Sequence, residues 1–363
     1  MLRIDAADLE CYIRECCLAI DTPPDIADVV ADSLVQADLR GHGTHGVLRI
    51  PNYIERAQNG HLRPAGTPVI NEFSESLLHV EGNQGFGQYV GRIATDTMLS
   101  GIKEGVAVCG IRHATPLGRL GEYAERAAAA GCIFIGCTSG TVSIVAPAGS
   151  TERRFSTNPI AVGIPTFDLL DFPIVLDIAT SQTAFGKVRE RLRTGEQLDP
   201  AWAISPSGNP SIDATQFMEE NGALRPLGGE GAGHKGTGLA IIVELLSGIL
   251  GSAGVISQDH RTGGNAAAFI VLDPLIWIDQ TELEDQIASL AAYLADVEPH
   301  PDVQIGPAAT DEVGCFPGEP EFTTLQLRSK QGIPISPGIA ETLIETAHNL
   351  DVEDALPTKF IDF

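Results

Sequence analysis

The chain has 363 residues, 43% of them hydrophobic and 20% charged, the balance of a folded protein with a sizeable buried core rather than of a disordered one. Its net charge of −25 excludes nucleic acid and anionic lipid as natural partners, because association would add repulsion instead of releasing counterions. Seven scattered cysteines, with no CxxC pair and no Cys/His zinc spacing, give neither a disulfide framework nor a metal site; Cys132 and Cys137 read as core thiols. Met1–Asp5 has no apolar signal core, and the longest apolar run, Leu239 to Leu250, carries Glu244, so no transmembrane span is expected and the expected location is the cytoplasm.

Along the chain, Pro23-Pro24-Asp25 opens a helical pattern in which Ile26, Val29, Val30, Leu34 and Ala37 recur at helical spacing, up to a stop at Leu39-Arg40-Gly41. A His-rich segment follows, then a helix over Tyr53 to Ala57 ended by Asn59-Gly60, with Pro51 either kinking it or sitting in its first turn. From about residue 66, β-branched runs (Thr67 to Ile70, Leu77 to Val80, Gly105 to Ile111, Cys132 to Thr138) alternate with helical stretches (Tyr89 to Gly101, Leu120 to Ala130). Ile174–Ile178 is an apolar strand with Asp177 near its end, leading through Ala179-Thr180-Ser181 into another helix. Residues 191–232, rich in Gly, Pro and Ser, read as long connections. Lys235-Gly236-Thr237-Gly238 then leads into a buried-looking helix, Leu239 to Leu250, with Gly248 as its stop. A strand at Phe269 to Leu272, an amphipathic helix at Thr281 to Ala295, a Pro/Gly-rich passage after Val303 and a helix at Ile339 to Leu350 complete the chain. This is an α/β pattern. Three regions are expected: a helical one at 1–65 carrying the His segment, an α/β one at 66–324, and a helical one at 325–363 packing back on the first.

Three groups of residues could carry chemistry. If His42-Gly43-Thr44-His45 enters a helix capped by Thr44, His45 and Arg49 share one face; an imidazole beside a guanidinium suits a substrate with a carboxylate next to a reacting C–O or C–N bond. The same residues could be two surface histidines in a glycine-flanked turn, or the start of a metal site lacking its third ligand. Asp177 could orient and charge-stabilise a histidine or simply cap the turn that follows it. Lys235 among Gly233, Gly236 and Gly238, ahead of a helix, suits an anion, yet it is no Walker A, and no GxGxxG follows an early strand.

Together these segments resemble the non-Rossmann malate/L-lactate dehydrogenase family, which includes ureidoglycolate, sulfolactate and diketogulonate dehydrogenases and the piperideine/pyrroline-2-carboxylate reductases. The resemblance runs almost end to end. It rests on Asp38-Leu39-Arg40-Gly41-His42-Gly43-Thr44-His45-Gly46-Val47-Leu48-Arg49, Gly118-Arg119-Leu120-Gly121-Glu122-Tyr123, Pro147-Ala148-Gly149 and Thr157-Asn158-Pro159-Ile160-Ala161. Further markers are Leu176-Asp177-Ile178-Ala179-Thr180-Ser181, His234-Lys235-Gly236-Thr237-Gly238-Leu239-Ala240 and Phe316-Pro317-Gly318-Glu319-Pro320.

The resemblance implies a mixed-sheet, sulfolactate-dehydrogenase-like fold that binds NAD or NADP without a Rossmann fingerprint, and a homodimer. It implies His45 as proton donor and acceptor, Asp177 as its charge partner, and Arg49 as anchor of the substrate carboxylate, with His42 and Thr157 beside the substrate. Cofactor contacts are expected from Asp177, Ile178, Ala179, Lys235, Gly318 and Glu319. Two positions depart from the pattern. Pro116 stands where many members carry a second histidine, for which His113 is a candidate replacement, and Gly140 takes what is often a polar position. The expected reaction is hydride transfer between the nicotinamide and a small 2-oxo acid or its 2-hydroxy form. The alternatives are reduction of a cyclic imine carboxylate, a nucleotide-binding member without turnover, and a metal hydrolase built on His42 and His45.

Overall fold

The computed structural model describes residues 2–102, 104–257, 264–298 and 315–361. The passage after Val303 lies mostly outside them.

The first strand, β1 (Leu2–Ile4), leads into α1 (Ala6–Leu18), whose first turn is capped by Asp5 accepting from the Ala7 amide at 2.9 Å. Pro24 opens α2 (Pro24–Leu39), and α3 (Ile50–Gln58) begins with Pro51 in its first turn, where a missing amide costs no hydrogen bond. Near the other end of the chain, α10 (Glu319–Gln331), β11 (Ile333–Ile335), α11 (Pro337–Asn349) and the short α12 (Thr358–Ile361) return to these helices. β1 pairs antiparallel with β11, and Ile4, Leu9, Tyr12, Val30 and Leu34 share one buried core with Ile335, Leu343 and Phe360. The buried Tyr12 hydroxyl donates to the Leu343 carbonyl at 2.7 Å. The boundary expected at 324/325 falls inside α10.

Between these ends lies a seven-stranded sheet built from β2 (Val69–Ser74), β3 (Leu77–Glu81), β4 (Val106–Ala114), β5 (Ile133–Ser139), β6 (Ile160–Ile164), β7 (Ile174–Ile178) and β10 (Asn265–Leu272). Its order is β2-β3-β4-β10-β5-β6-β7, and only β3 and β4 run parallel, so the sheet is mixed. Side chains alternate across it. Phe134, Phe269 and Val271 face α4 (Gly87–Gly101) and α5 (Gly121–Ala129), while Cys137 and Ala268 face α8 (Gly229–Leu250).

Two expectations need correction here. The stretch 191–232 holds more than connections. It contains the end of α6 (Phe185–Thr194), the β8 (Ala203–Ile204) and β9 (Ala223–Leu224) hairpin partners and α7 (Ala214–Glu219). Val188, Leu198, Ala203, Phe217 and Leu224 give it a small core of its own, closed by long-range contacts that local composition does not announce. Second, α8 is not buried all round and does not stop at Gly248: it ends at Leu250, capped by Gly251. One face rests on the sheet; the other leaves Leu239, Ile242 (53% exposed), Leu246 and Ile249 (68% exposed) uncovered in the single chain. Its buried acid, Glu244, accepts from the Asn158 amide at 3.0 Å and the Ile256 N–H at 2.7 Å, partners that a buried carboxyl on an apolar stretch requires. Beyond α8, the chain adds α9 (Gln280–Ala295), capped by Asp279. Among the described residues no helix is long and apolar enough to cross a membrane.

Candidate active site

A cleft of about 860 Å³ opens where α2 ends. Its wall includes Asp38, Arg40 to His45, Thr157, Asp177 to Ala179, Thr183, Gly186, Lys187, Arg193, Glu321, Arg328 and Ser336, so the terminal helices and the sheet both contribute.

The His segment is not a helix capped by Thr44. Gly41 (φ +88°) turns the chain out of α2, and two short 3-10 turns follow, Gly43–His45 and Val47–Arg49, separated by Gly46 in an extended conformation. Three glycines within six residues favour tight turns over a regular helix, so the i,i+4 argument for His45 and Arg49 does not describe their actual setting. The two are nevertheless neighbours electrically. Burial pushes the His45 imidazole down to about 3, and the charge of Arg49 pushes the same way, followed by His42 and Arg119. No hydrogen bond joins His45 to a described side chain, and a neutral imidazole is left facing the cleft. Arg49 lies with its guanidinium 5.9 Å from the Tyr53 ring centroid and has no carboxylate partner among the described residues.

Asp177 sits one residue before the end of β7. Its Oδ2 accepts the Gly121 N–H at 2.7 Å, at the N-terminus of α5. Burial raises its carboxyl above the usual range, opposed by that N–H, by His42 and by Arg119. The histidine whose charge it feels is therefore His42; no hydrogen bond links Asp177 to His45, contrary to the expected pairing. His42 Nε2 lies 3.3 Å from Glu321 Oε1. Burial works against the Glu321 anion, yet the His42 bond and the Arg119 charge hold its carboxyl below the ordinary range. Arg119, 4% exposed, is fixed by a two-pronged contact to Glu125 at 2.9 and 2.7 Å, and Arg40 meets the same carboxylate at 3.0 Å.

Thr157, Ile178 and Ala179 line the cleft with His42, His45 and Asp177. The other expected contacts are elsewhere. Lys235 is exposed just after a kink at Ala232 (φ −136°, ψ 18°) that divides α8, so it stands in the first turn of the longer piece, as expected, but it does not line the cleft. Gly236 instead permits close approach to the backbone of Leu227, 2.4 Å from where a Cβ would stand. Gly318 lines a separate hollow of about 210 Å³ with Phe172, Val175 and Phe322, which shares Arg40 and Glu321 with the main cleft. Glu319 accepts the Phe316 amide at 3.1 Å. His113 is engaged with Glu81 at 3.0 Å and does not line the cleft, so it does not stand in for a histidine at Pro116. At Gly140, Ser156 Oγ fills the space of a side chain, 2.6 Å from an ideal Cβ.

The helix expected after Ser181 is α6, but sequence reasoning missed what it brings to the site. Gly186 seats this helix on the His segment, since a Cβ there would meet Thr44 at 2.3 Å, and so brings Lys187 and Arg193 to the cleft. Beside them the Thr183 hydroxyl is buried without a hydrogen-bond partner among the described residues. No motif marks these residues.

A sequence model of the malate/L-lactate dehydrogenase family matches residues 4–344, and the chain belongs to that family. Among relatives, it is 33% identical to an L-lactate dehydrogenase of Cupriavidus necator, covering 98% of this chain and 100% of the relative. It is 34% identical to a malate dehydrogenase of Pyrococcus horikoshii, covering 97% and 96%. Among solved structures, the sulfolactate dehydrogenase of Methanocaldococcus jannaschii superposes with a TM-score of 0.81 at 28% identity, over 97% of this chain and 99% of the other. The Δ1-piperideine-2-carboxylate reductase of Pseudomonas syringae superposes with a TM-score of 0.77 at 25% identity, over 96% and 100%. The expected mixed-sheet, sulfolactate-dehydrogenase-like fold is the one observed, and the family implies oxidoreduction of a 2-hydroxy acid.

Proposed function

We propose that the cleft binds NAD or NADP together with a small 2-hydroxy acid and interconverts that acid with its 2-oxo form, with His45 handling the proton. One observation carries the reading: a neutral imidazole in the cleft wall, electrically coupled to a guanidinium that has no carboxylate of its own. A neutral imidazole is competent to accept a hydroxyl proton as the carbonyl forms. On the family resemblance Arg49, which follows the cleft-lining Leu48 without lining the cleft itself, takes the substrate carboxylate; that negative charge offsets the Arg49 charge, which after burial is the next cause depressing His45, so the imidazole holds the proton better once substrate is bound. Asp177 acts through His42 and Arg119, keeping this wall of the cleft negative enough to tolerate an imidazolium at His45, and Thr157 borders the substrate.

The nicotinamide, when bound, supplies the hydride acceptor or donor. The residues present fit such a group. The Thr183 hydroxyl lacks a partner among the described residues, Lys187 and Arg193 offer positive charge, and Ile178 and Ala179 give an apolar wall. Gly318 and the apolar hollow beside it suit a flat ring. Lys235 and Glu319 keep only the support of the family resemblance. Absorbance assays of lactate, malate and sulfolactate with each cofactor test the reading; no turnover of any of them would overturn it. Δ1-piperideine-2-carboxylate belongs in the panel, because Pro116 and the likeness to a reductase of that acid favour a second reading in which nitrogen receives the proton. Binding of reduced nicotinamide with no turnover at all would favour the family member without catalysis. Within the leading reading, Arg49→Lys raises the Michaelis constant for the acid roughly tenfold or more, since a point charge forfeits a charge-assisted bond of about 1.5–3 kcal/mol. Steady-state kinetics with saturating cofactor measure it.

We further propose a cytoplasmic homodimer that covers the apolar face of α8. Four large aliphatic side chains, Leu239, Ile242, Leu246 and Ile249, at helical spacing exceed what a monomer ordinarily leaves in water. Ile242→Asp with Ile249→Asp is expected to halve the mass seen in sedimentation, and an unaltered wild type that sediments as a monomer would count against the proposal.

A further inference from the structure

We propose that Asp38 is the positioning residue of the His45 turn: its side chain clamps the turn from below and so sets where His45 and Arg49 stand. The inference deepens the functional reading above and rests on it for the catalytic consequence, though not for the structural one.

The last turn of α2 carries Asp38, which is 6% exposed and whose position adjoins the cleft wall. A buried carboxyl requires a partner to be tolerated. Its Oδ2 accepts the Val47 N–H at 2.7 Å, the amide that opens the second 3-10 turn and would otherwise be an unsatisfied donor. The bond spans nine residues and ties the end of α2 to the middle of the His segment. Packing makes the same connection. A Cβ on Gly46 would lie 2.2 Å from Cγ, Oδ1 and Oδ2 of Asp38, and one on Gly43 would lie 3.3 Å from Oδ1. The carboxyl is thus held against the bare backbone on both sides of His45. Neither Gly43 nor Gly46 has a left-handed φ in this turn, so it is room for Asp38 that each glycine supplies.

Asp38 itself is held in turn by α10. Arg328 donates a short hydrogen bond to the Asp38 main-chain carbonyl; burial raises the Asp38 carboxyl to about 7 even though the Val47 N–H and the Arg328 charge both favour the carboxylate. Arg328 also lines the cleft, and so the clamp joins a helix from each end of the chain beneath the same turn. Asp38 touches no reacting atom in this account. It acts through the backbone of residues 43–47.

Three variants and two measurements test the proposal. Amide hydrogen exchange over residues 42–49 reads the clamp without reference to catalysis. Asp38→Ala is expected to raise exchange there, while Asp38→Asn, which keeps an acceptor for Val47, stays close to wild type. Steady-state kinetics read the consequence. Asp38→Ala lowers kcat by about ten- to a hundredfold, the cost of misplacing reacting groups by about 1 Å, with the dissociation constant of the nicotinamide unchanged and most of the loss restored in Asp38→Asn. Gly46→Ala reproduces the loss because its methyl displaces the carboxyl, and adding Asp38→Ala to it costs little more. Unchanged exchange in Asp38→Ala would overturn the clamp. Raised exchange with an unchanged kcat would overturn its role in positioning. If the wild type oxidises none of the acids while exchange responds as expected, the functional reading fails and the clamp stands.

Discussion

Replacing His45 by alanine is expected to lower kcat for the 2-hydroxy acid by about two to four decades while leaving nicotinamide binding intact. The size follows from the absence of a substitute. Pro116 cannot titrate, His113 is held by Glu81 away from the cleft, and His42 is bound to Glu321. No other imidazole lines the cleft among the described residues. The variant also carries a pH signature. The wild-type imidazole stays neutral down to about 3 in the free chain, so oxidation has no acid limb from His45 near 6.5, the value of a free imidazole. The same depression acts on stability. Below about pH 6.5 the unfolded chain takes the proton and the folded chain does not, so acidification destabilises the fold at this residue, and His45→Ala is expected to be less acid-sensitive in unfolding. Turnover within threefold of wild type would remove His45 from the chemistry.

Phe269→Ala is expected to destabilise the fold by about 3–5 kcal/mol, the range for emptying a large aromatic site in a core. Phe269 is fully buried in β10, the central strand, with ring centroids 5.0 Å from Phe134 in an edge-on pair and 5.3 Å from Tyr123. Both flanking strands are hydrogen-bonded to β10 along its length, so the backbone has little freedom to collapse into the space. Urea unfolding measures the loss; a change under about 1 kcal/mol would mean that the sheet closes over the cavity. His45→Ala, on a turn at the rim of the cleft, is the contrasting case, with activity lost and unfolding at neutral pH nearly unmoved.

Much of this architecture is legible in the sequence because it depends on local pattern. Pro24 and the spacing of Ile26, Val30 and Leu34 mark α2; Asn59-Gly60 marks the end of α3; β-branched runs mark β3, β4 and β5. β10 is legible only from Phe269 onward. Its first half is Asn265 followed by three alanines, which become a strand because β4 and β5 supply partners from either side. The site divides in the same way. His42, His45 and Asp177 stand in motifs and do line one cleft, but the partner of Asp177 depends on how α5 and β7 meet, which no spacing encodes. Lys187 and Arg193 arrive on a helix set by one glycine contact, and Thr183 lies just before it. The exposed side of α8 is hidden from pattern reading for another reason. A helix that is apolar all round reads as buried, and only the packed structure distinguishes the face on the sheet from the face left open.

The order in which the chain is made runs against the order in which its pieces fit. β4 and β5 present unpaired edges to one another until β10, more than a hundred residues after β5, arrives to fill the gap. The helices α1 and α2 wait longer still, because β11, α11 and Phe360 are needed to cover their apolar sides. Such non-local closure folds slowly and leaves open edges and apolar faces exposed meanwhile. On the ribosome, therefore, this protein spends most of its synthesis as an incomplete sheet beside two unsheltered helices. The turn that carries His45 acquires its full support only when the last tenth of the chain has emerged, which makes late truncation or slow release costly to activity well before any residue of the cleft is altered.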